Sequence, residues 1–460
     1  MKPFRYYAAI LIARAAIFTL HALGRNGSHF PGALALHICP DFLKYIEKPK
    51  VIIGVTGTNG KTTVSNMIGD VFKASGIEYA NNALGSNIQE GIFVTMLHAS
   101  TFWGKQKADL CVLEIDERVS PKIYPYLQPD FLVVTNLFRD SYRRNAHVGY
   151  IADILNRTIP ASTTLILNAD DLISLGLNTD NKHVTFGVDR LEGEAEIKDS
   201  RIKDIYYCPQ CMHTLTFDFN RYHHIGKAHC ENCGYASPKG DFVITSIDAR
   251  NKTASLRVHD TFYDLKLVGD NITDLYNSIA AIALLCTYGM DIDTVLKRFE
   301  AISVVKSRFD ETIEDDKKVI VMMAKDQNPI ATSRVCDFVS RYHQNERIAF
   351  LLMNEASDHG KASENIAFIY DTDFEYLNRP NIKQVLFGGM RYLDFIVRYK
   401  LAGIAADRVF GAPTEMLAAG LVNFDVVDTV FILYGTKTEP QALAVKQYFL
   451  KAIRERRKSV

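Results

Sequence analysis

Short apolar runs of the kind that form buried parallel strands recur along the first two thirds of the chain, separated by stretches compatible with helices. The runs lie at Val51–Val55, Leu110–Ile115, Phe131–Thr135 and Thr164–Asn168. A helical pattern follows the first run over Val64–Ser75, and another over Asp274–Tyr288 comes after alternating strands over Phe242–Leu267. This alternation of buried strands and helices predicts a doubly wound α/β domain.

The same alternation resumes near Lys306. Its strand-like runs are Val319–Met323, Ile348–Met353, Gln384–Phe387 and Thr429–Tyr434. The pattern predicts a second, smaller α/β domain. We therefore expect an amino-terminal helix and loop over residues 1–45, a central domain over 46–305, and a carboxy-terminal α/β domain over 306–460.

The amino terminus carries an apolar run from Tyr6 to Leu23 that superficially imitates a secretion signal. Arg14 interrupts it, at a cost of about 2.5–3.5 kcal/mol for membrane insertion. No small-residue cleavage site follows. We predict a helix of a cytoplasmic protein, amphipathic and packed on the domain behind it; the alternative is a helix that rests on the inner face of the membrane.

The net charge of the chain limits the classes of binding partner that we expect. The 460 residues include 53 Lys and Arg against 53 Asp and Glu, a formal net charge of zero. No broad cationic field is available for non-specific binding of nucleic acid, and we expect no nucleic-acid partner. An anionic ligand must be held by a few placed groups.

One such place is the segment Gly57-Thr58-Asn59-Gly60-Lys61-Thr62-Thr63, between a predicted strand and a predicted helix. Glycines let backbone N–H groups approach phosphate oxygens, Lys61 reaches the terminal phosphates, and Thr62 can ligate Mg²⁺. The strict Walker pattern has a glycine where this chain has Val55. The sequence predicts a variant phosphate-binding loop for ATP.

A carboxylate at the end of a neighbouring strand would complete a magnesium site. Glu114 directly follows four apolar residues, so we favour it over Asp116 and Glu117. Asp140, after the next strand, offers a further polar group at the same edge. His147 could join it, but a lone histidine is more often a hydrogen-bonded surface residue.

Cysteines point to a second metal. Two Cys-x-x-Cys pairs, Cys208 with Cys211 and Cys230 with Cys233, are separated by a spacing typical of a four-thiolate zinc ribbon. Four thiolates close a tetrahedral coordination sphere, so this zinc would be structural. We place the insertion at about residues 205–241. The other four cysteines lie in apolar or helical settings and are expected to be buried.

Taken together, these motifs resemble the Mur ligase superfamily and, within it, the MurT family. The segments that carry the resemblance are Gly24–Gly27, Phe30–Gly32, Gly57–Thr63, Gly85–Asn87, Glu114–Glu117, Thr135–Asp140, the four-cysteine insertion, Tyr276–Ala281 and Tyr370–Glu375. The resemblance implies a Mur ligase-type central domain with a four-cysteine zinc-ribbon insertion, followed by the smaller α/β domain. It covers almost the whole chain.

The resemblance also implies a function. A member of this family would use ATP to phosphorylate the α-carboxylate of D-glutamate in the lipid II stem peptide, at the cytoplasmic face of the membrane. Ammonia from a GatD-type glutaminase, bound as a heterodimer, would then displace phosphate to give D-isoglutamine. A carboxylate of the carboxy-terminal domain would complete the partner's Cys/His triad, a role we transfer to Asp371, with Asp373 as the alternative.

Two further residues take roles from the resemblance. Asn277 is expected to contact the adenine or ribose of ATP. Arg308 corresponds to an arginine that can meet the γ-phosphate or the acyl phosphate, a suitable task for a fixed positive charge. Two other functions stay open: an amino-acid ligase of the Mur or folylpolyglutamate type, and a nucleotide-binding scaffold without turnover, which Arg143 and the segment Ala324–Pro329 suggest.

Overall fold

The computed structural model describes residues 2–24, 29–82, 86–139, 147–178, 180–195, 197–269, 271–302, 309–324, 328–343, 345–353, 366–435 and 437–457. These residues divide into two compact units. The first contains the described residues up to 138, then 147–198 and those from 204 to 302. The second contains residue 139, residues 199–203 and the described residues from 309 onward.

The first unit begins with three helices, α1 (Phe4–Ala22), α2 (Phe30–Ile38) and α3 (Phe42–Tyr45). Tyr6 of α1 stacks on Phe42 with ring centroids 4.9 Å apart. The Arg14 guanidinium donates hydrogen bonds to the carbonyls of Leu97, Ser100 and Thr101, so the charge in the middle of the apolar run ties α1 to the domain behind it. Among the described residues no helix is long and apolar enough to cross a membrane.

A nine-stranded sheet forms the centre of the first unit. Its strands are β1 (Val51–Thr56), β2 (Ala80–Asn81), β3 (Leu110–Glu114), β4 (Phe131–Val134), β5 (Thr164–Asn168), β6 (His183–Val188), β9 (Phe242–Asp248), β10 (Thr253–Val258) and β11 (Thr261–Lys266), with β7 (Thr216–Tyr222) and β8 (Ile225–His229) forming a separate hairpin. The helices that follow α3 in this unit are α4 (Lys61–Ala74), α5 (Gln89–His98), α6 (Ser120–Ile123), α7 (Val148–Thr158), α8 (Leu172–Leu175), α9 (Ile272–Tyr288) and α10 (Ile292–Phe299).

The strand order β11-β10-β9-β6-β5-β4-β1-β3-β2 places β1 between β3 and β4, all parallel. The chain leaves β1 toward β2 and β3 on one side and then crosses to β4 on the other. A crevice opens at such a switch point, beyond the carboxyl ends of the strands. The loop after β1 and the ends of β3 and β4 therefore meet at one edge.

The second unit has a six-stranded sheet of order β12-β13-β17-β14-β15-β16, parallel except for the β12–β13 pair. Its strands are β12 (Phe309–Glu314), β13 (Lys317–Met323), β14 (Ile348–Met353), β15 (Ile382–Gly388), β16 (Val409–Ala412) and β17 (Thr429–Tyr434). Its helices are α11 (Pro329–Arg341), α12 (Ala367–Asp371), α13 (Tyr392–Leu401), α14 (Glu415–Ala419) and α15 (Glu439–Arg457). Buried apolar side chains cover both faces of this sheet.

Candidate functional site

The loop between β1 and α4 has the geometry that phosphate binding requires. Gly57 and Gly60 adopt φ angles of +123° and +88°, in the left-handed region that residues with a β-carbon avoid. The first helical hydrogen bond of α4 runs from the N–H of Val64 to the carbonyl of Gly60, so the preceding N–H groups have no acceptor within the helix. Such a helix end attracts anions.

Lys61 is buried at the start of α4, and its ammonium group has two acceptors. Nζ donates to the carbonyl of Gly57 and lies 3.1 Å from Glu117 Oε1. Burial lowers the pKa of Lys61, but the attraction of Glu117, and then of Glu114 and Asp116, outweighs burial and raises the pKa above its ordinary value. Lys61 is therefore held charged, as phosphate binding needs.

The two residues predicted to hold Mg²⁺ lie side by side. Thr62 Oγ1 donates to Glu114 Oε2 at 2.7 Å. Asp116, an alternative to Glu114, instead forms an ion pair of 2.9 Å with Arg118. A hydroxyl beside a carboxylate at the edge of a phosphate loop fits the oxygen donors that Mg²⁺ prefers. The role of Thr62 and Glu114 as ligands stays a prediction.

Two asparagines hold Glu114 in place. Asn87 Nδ2 donates to Glu114 Oε1 at 2.9 Å. Asn82 exchanges two hydrogen bonds of 2.8 Å with the backbone N–H and C=O of Glu114. No role for Asn82 could be predicted from the sequence, because Asn82 follows a two-residue edge strand whose residue pattern is the same as that of a loop.

The phosphate loop is also tied to the end of β4. Asn136 accepts the N–H of Thr58 at its carbonyl, at 2.8 Å, and the N–H of Asn59 at its side-chain oxygen, at 3.1 Å. Thr135 Oγ1 donates to the carbonyl of Asn59 at 2.6 Å. The two polar residues that follow β4 therefore fix the backbone of the loop after β1.

Asn277, on α9, is buried against this loop. A β-carbon at Gly60 would collide with Asn277 Oδ1, so the Asn277 side chain packs directly on a loop position whose φ of +88° favours glycine. The structure thus brings the residue expected to contact the nucleotide beside the phosphate loop. Its contact with adenine or ribose stays a prediction.

Three other candidates remain, and only one of them lies among the described residues. Arg308 and Asp140 lie outside the described residues. His147 precedes α7, and its Nδ1 accepts the N–H of Gly149 at 3.1 Å. His147 therefore serves as a helix cap, in line with the interpretation of a hydrogen-bonded histidine.

The side chains of the four cysteines predicted to bind zinc lie close together in the structure. The Sγ atoms of Cys208, Cys211, Cys230 and Cys233 all lie within 4.8 Å of one another. Two of the pairs, Cys208 with Cys233 and Cys211 with Cys230, are 3.5 Å apart. Thiolates bound to zinc at about 2.3 Å would be about 3.8 Å apart in a tetrahedron, so the donor set fits such an ion.

Both Cys-x-x-Cys turns have the same backbone pattern. In each, the N–H of the first cysteine donates to the carbonyl five residues on, and the N–H four residues on donates to the carbonyl of that cysteine. Met212 and Gly234 occupy equivalent positions with φ of +60° and +76°. A hydrogen bond from Asn232 is the largest of the effects that lower the pKa of Cys211 to about 6, which favours its thiolate. A backbone hydrogen bond at Tyr235 lowers the pKa of Cys233, but burial and hydrogen bonds with the other three cysteines raise it to about 12.

The hairpin of β7 and β8, between the cysteine pairs, connects to the phosphate loop. His224, in its turn, places Nε2 3.1 Å from Asp171 Oδ1, with both side chains almost fully buried. Asp171 Oδ2 accepts the N–H of Leu137 at 2.7 Å, and Leu137 follows Asn136. Buried hydrogen bonds thus lead from the cysteine insertion to the segment that anchors the phosphate loop, a connection that sequence reasoning missed.

In the second unit, the two carboxylates proposed for the partner's triad differ in how far their side chains are exposed to solvent. Asp371, the last residue of α12, has a side chain 28% exposed and pairs with Arg139 at 3.1 Å. Asp373 is 3% exposed; its Oδ1 accepts the N–H of Arg201 at 2.6 Å, and its Oδ2 has no hydrogen-bond partner among the described residues. Burial raises the pKa of Asp373 to about 6.

Of the four remaining cysteines, Cys39, Cys111 and Cys336 are buried as expected, whereas Cys286 is half-buried. Burial raises the pKa of Cys39 to about 11 and that of Cys286 to about 12. These thiols are therefore protonated and unreactive near neutral pH.

Comparisons with known proteins agree with this architecture. Residues 55–285 match the family model of the Mur ligase middle domain, and residues 326–434 match that of the MurT ligase C-terminal domain. Among solved structures, a pseudomurein peptide ligase type C from Methanothermus fervidus has a TM-score of 0.65 at 20% identity, covering 89% of this chain and 81% of its own. MurF ligase from Thermotoga maritima in complex with ADP has a TM-score of 0.55 at 14% identity, covering 93% and 85%.

These two structures share the fold, so the predicted Mur ligase-type α/β class is confirmed. At the level of sequence, the chain is 30% identical over 402 residues to the lipid II isoglutaminyl synthase (glutamine-hydrolyzing) subunit MurT of Staphylococcus aureus strain COL. That alignment covers 87% of this chain and 89% of the relative. The predicted family is thereby confirmed as well: the chain belongs to the MurT family, within the carbon–nitrogen ligases of the Mur ligase superfamily.

Proposed function

We propose that this chain is the ATP-dependent synthetase subunit of an enzyme that amidates lipid II. Its product would be D-isoglutamine, formed at the α-carboxylate of the D-glutamate in the stem peptide. The observation that carries the proposal is the hydrogen bond between Thr62 and Glu114 beside the charged Lys61, in a chain similar to MurT throughout. The ADP complex of a protein with the same fold supports ATP as the nucleotide.

In the proposed reaction, a carboxylate oxygen of the substrate attacks the γ-phosphorus of ATP and ADP leaves. Ammonia then attacks the acyl carbon, phosphate leaves, and the nitrogen loses a proton. Lys61 and the N–H groups at the start of α4 would hold the phosphates, while Asn277 would bind the nucleoside. Thr62 and Glu114 would hold Mg²⁺, which supplies positive charge at the transferring phosphoryl group. Arg308 would add a further positive charge there.

The ammonia would come from a second chain, a GatD-type glutaminase bound as a heterodimer. Glutamine hydrolysis by such enzymes needs an activated thiolate. In this chain four cysteines form the cluster, and the other four are buried or half-buried. The relative's name, which calls MurT a subunit, agrees with a partner.

We assign the carboxylate offered to that partner to Asp371 rather than Asp373. Asp371 keeps a partly exposed side chain, whereas that of Asp373 is enclosed. A third group that orients an imidazole must reach it across the interface. Asp371 would have to exchange its ion pair with Arg139 for that contact.

The cysteine cluster is proposed to hold a structural Zn²⁺, because four sulfurs leave no open coordination position. We propose that the protein works in the cytoplasm, at the inner face of the membrane, because lipid II would be presented to the proposed reaction there.

The proposal is tested by incubating the chain with lipid II, ATP, Mg²⁺ and ammonium, and separately with glutamine and the glutaminase. Exchange of OH for NH₂ lowers the mass of the stem peptide by about one unit, which mass spectrometry resolves. We expect product with ammonium alone, and with glutamine only when the glutaminase is present. An unchanged mass with ammonium would refute the proposed reaction.

Two lysine variants in the same helix provide a matched test of the phosphate loop. Lys61→Ala should abolish turnover, because it removes the positive charge of the phosphate loop. Lys73→Ala, near the exposed end of the same helix α4, should leave turnover near that of the unmodified chain. Activity retained by Lys61→Ala would contradict the phosphate-loop assignment.

A further inference from the structure

The helix α1 carries large apolar side chains on its exposed side as well as on its covered side. Tyr6, Ala9 and Ala13 face inward and are fully buried. On the outside, Phe4 is 87% exposed and Phe18 is 77% exposed. The sequence predicted an amphipathic helix, and this prediction is wrong, because the exposed side of α1 also carries large apolar side chains. A helix that is hydrophobic all round is normally buried.

A turn from the first unit extends this apolar surface. Arg14 donates to the carbonyl of Thr101 at 2.8 Å, and its guanidinium lies 5.4 Å from the ring centre of Phe102. The next residue, Trp103, contacts Tyr7 of α1 with ring centroids 6.3 Å apart. Trp103 is 59% exposed. We call the exposed surface formed by Phe4, Tyr7, Leu11, Phe18, Phe102 and Trp103 the α1 face.

The members of the α1 face that lie on α1 form one stripe. Phe4, Tyr7, Leu11 and Phe18 are three, four and seven residues apart, which puts them on the same side of a helix. With a rise of about 1.5 Å per residue, the stripe from Phe4 to Phe18 is roughly 21 Å long. A stripe of this length is suited to contact with an extended surface, and it is too long to fit into a pocket.

The two segments that carry the α1 face are basic, although the whole chain is neutral and Arg5 is paired with Asp41 at 2.7 Å. Residues 2–24 contain Lys2, Arg5 and Arg14 and no Asp or Glu, and residues 99–108 contain Lys105 and Lys107 and no Asp or Glu. Lys105 and Lys107 are exposed. Basic groups beside an apolar helix complement the anionic headgroups of a lipid surface.

We propose that the α1 face docks on an anionic membrane surface, with α1 lying in the plane of the interface. The aromatic residues fit this occupant, since tryptophan, with an apolar ring and a polar N–H, is favoured at the boundary of lipid and water. The inference deepens the proposed function, because docking there would bring the synthetase to a lipid-linked substrate. The binding itself needs neither ATP nor lipid II.

Trp103 is the only tryptophan of the chain, so its fluorescence reports on the α1 face directly. The full chain is titrated with vesicles of phosphatidylcholine containing phosphatidylglycerol, without lipid II or nucleotide. We expect a blue shift of the emission, quenching by brominated acyl chains, and weaker binding at high salt or to vesicles of phosphatidylcholine alone. Emission that stays unchanged at saturating anionic lipid would overturn the proposal.

Two double variants distinguish vesicle binding through the α1 face from non-specific adsorption of exposed apolar side chains. Phe4→Ser combined with Phe18→Ser should weaken binding to anionic vesicles by about tenfold or more, because two exposed aromatic side chains no longer enter the interface. Leu393→Ser with Leu417→Ser, at residues 60% and 59% exposed in the second unit, should bind as the unmodified chain does. Equal affinity of the two double variants would count against docking through this face.

Other occupants of the α1 face are distinguished in the same assay. If it joins two copies of this chain, light scattering without lipid would show a dimer that the Phe4→Ser and Phe18→Ser changes dissociate. If it binds the glutaminase, adding that protein would shift Trp103 emission while vesicles would not. Either result replaces the membrane proposal. Lys61→Ala should bind vesicles normally, so failure of the proposed amidation would leave docking separately measurable.

Discussion

At the scale of single residues, the phosphate site depends on side chains that need not touch a phosphate. Asn82 and Asn87 fix the backbone and the carboxylate of Glu114, and Asn136 fixes the backbone of Asn59. Partners of this kind orient a metal ligand and tune its affinity.

We predict that Asn82→Ala raises the Mg²⁺ concentration needed for half-maximal activity by about tenfold or more, because Glu114 loses both hydrogen bonds to its backbone. Titration of activity with Mg²⁺ at saturating ATP measures this change. Asn81→Ala alters the preceding, exposed residue and should leave the Mg²⁺ requirement unchanged. A normal Mg²⁺ titration for Asn82→Ala would show that Glu114 is held by other groups.

A second prediction concerns pH. Burial raises the pKa of Asp373 from 3.8 to about 6, so between about pH 4 and pH 6 the folded chain holds a proton that the unfolded chain has lost. The free energy of unfolding therefore falls as pH rises through this window. Asp373→Asn should gain stability relative to the unmodified chain from pH 4 to pH 7, by about 3 kcal/mol at most.

Asp428 provides a comparison of opposite sign. A hydrogen bond from Arg347 is the largest effect that lowers the pKa of Asp428. Its stabilisation is present above about pH 4 and is lost as pH falls. Asp428→Asn should therefore cost more stability at pH 7 than at pH 3, as urea unfolding at several pH values can test. Parallel pH profiles for the two variants would contradict the electrostatic assignments.

Sequence alone could predict the chemistry that is contiguous in the chain. Gly57 to Thr63 and the two cysteine pairs carry their spacing within a few residues, and Glu114 follows a recognisable strand. Asn82, Asp171 and His224 could not be predicted, because each gains its role from a partner brought close only by the fold. Arg308 remains a prediction from resemblance.

At the scale of secondary-structure elements, the cysteine insertion takes an unusual position. It lies between β6 and β9, which are neighbouring parallel strands of the central sheet. Parallel neighbours are commonly joined by a helix. Here the connection contains the β7–β8 hairpin instead, and a small apolar cluster around Leu172 and Cys208 packs it against the unit.

We predict that Cys230→Ser lowers both zinc content and soluble yield, because the hairpin loses a ligand and its apolar cluster is small. Zinc measured by atomic absorption on purified protein checks this. Cys286→Ser, at a half-buried thiol of α9 outside the cluster, should retain one zinc per chain. Full zinc content in Cys230→Ser would contradict a four-thiolate site.

The sequence predicted elements well where strands are continuously apolar, as in β1, β4 and β17. It did not predict β6, whose segment His183–Val188 mixes polar and apolar residues, or β16, which has only four residues. The helix α1 was placed correctly, but it was predicted to be amphipathic, whereas large apolar side chains lie on its exposed side as well. The pattern of one helix does not reveal how much of its surface the rest of the chain covers.

At the scale of the whole molecule, each of the two units has its own buried core. The core of the second unit lies on both faces of its sheet and draws on α11, α13 and α15. The unit also includes Arg139 and residues 199–203, which a linear division of the chain at residue 305 would assign elsewhere. That boundary stays a prediction.

We predict that a fragment of residues 309–460 folds alone and unfolds in one cooperative transition, because its sheet is covered on both faces without the first unit. Circular dichroism during urea unfolding measures this. The fragment lacks Arg201, which contacts both Asp373 and Glu375, so we expect lower stability than for the same unit in the full chain. A broad, non-cooperative transition would show that the unit depends on the rest of the protein.

The buried path from His224 through Asp171 to Leu137 has a thermodynamic consequence. If metal bound at the cysteine cluster stabilises the nucleotide-binding conformation of the phosphate loop, it raises the affinity of the chain for nucleotide by some factor. Thermodynamic linkage then requires that bound nucleotide raise the affinity for the metal by the same factor. Saturating ATP should then raise the chelator concentration that strips half of the metal. Synthesis of the cell wall would thereby be coupled to the supply of a trace element, through a pair of side chains that contacts neither ligand.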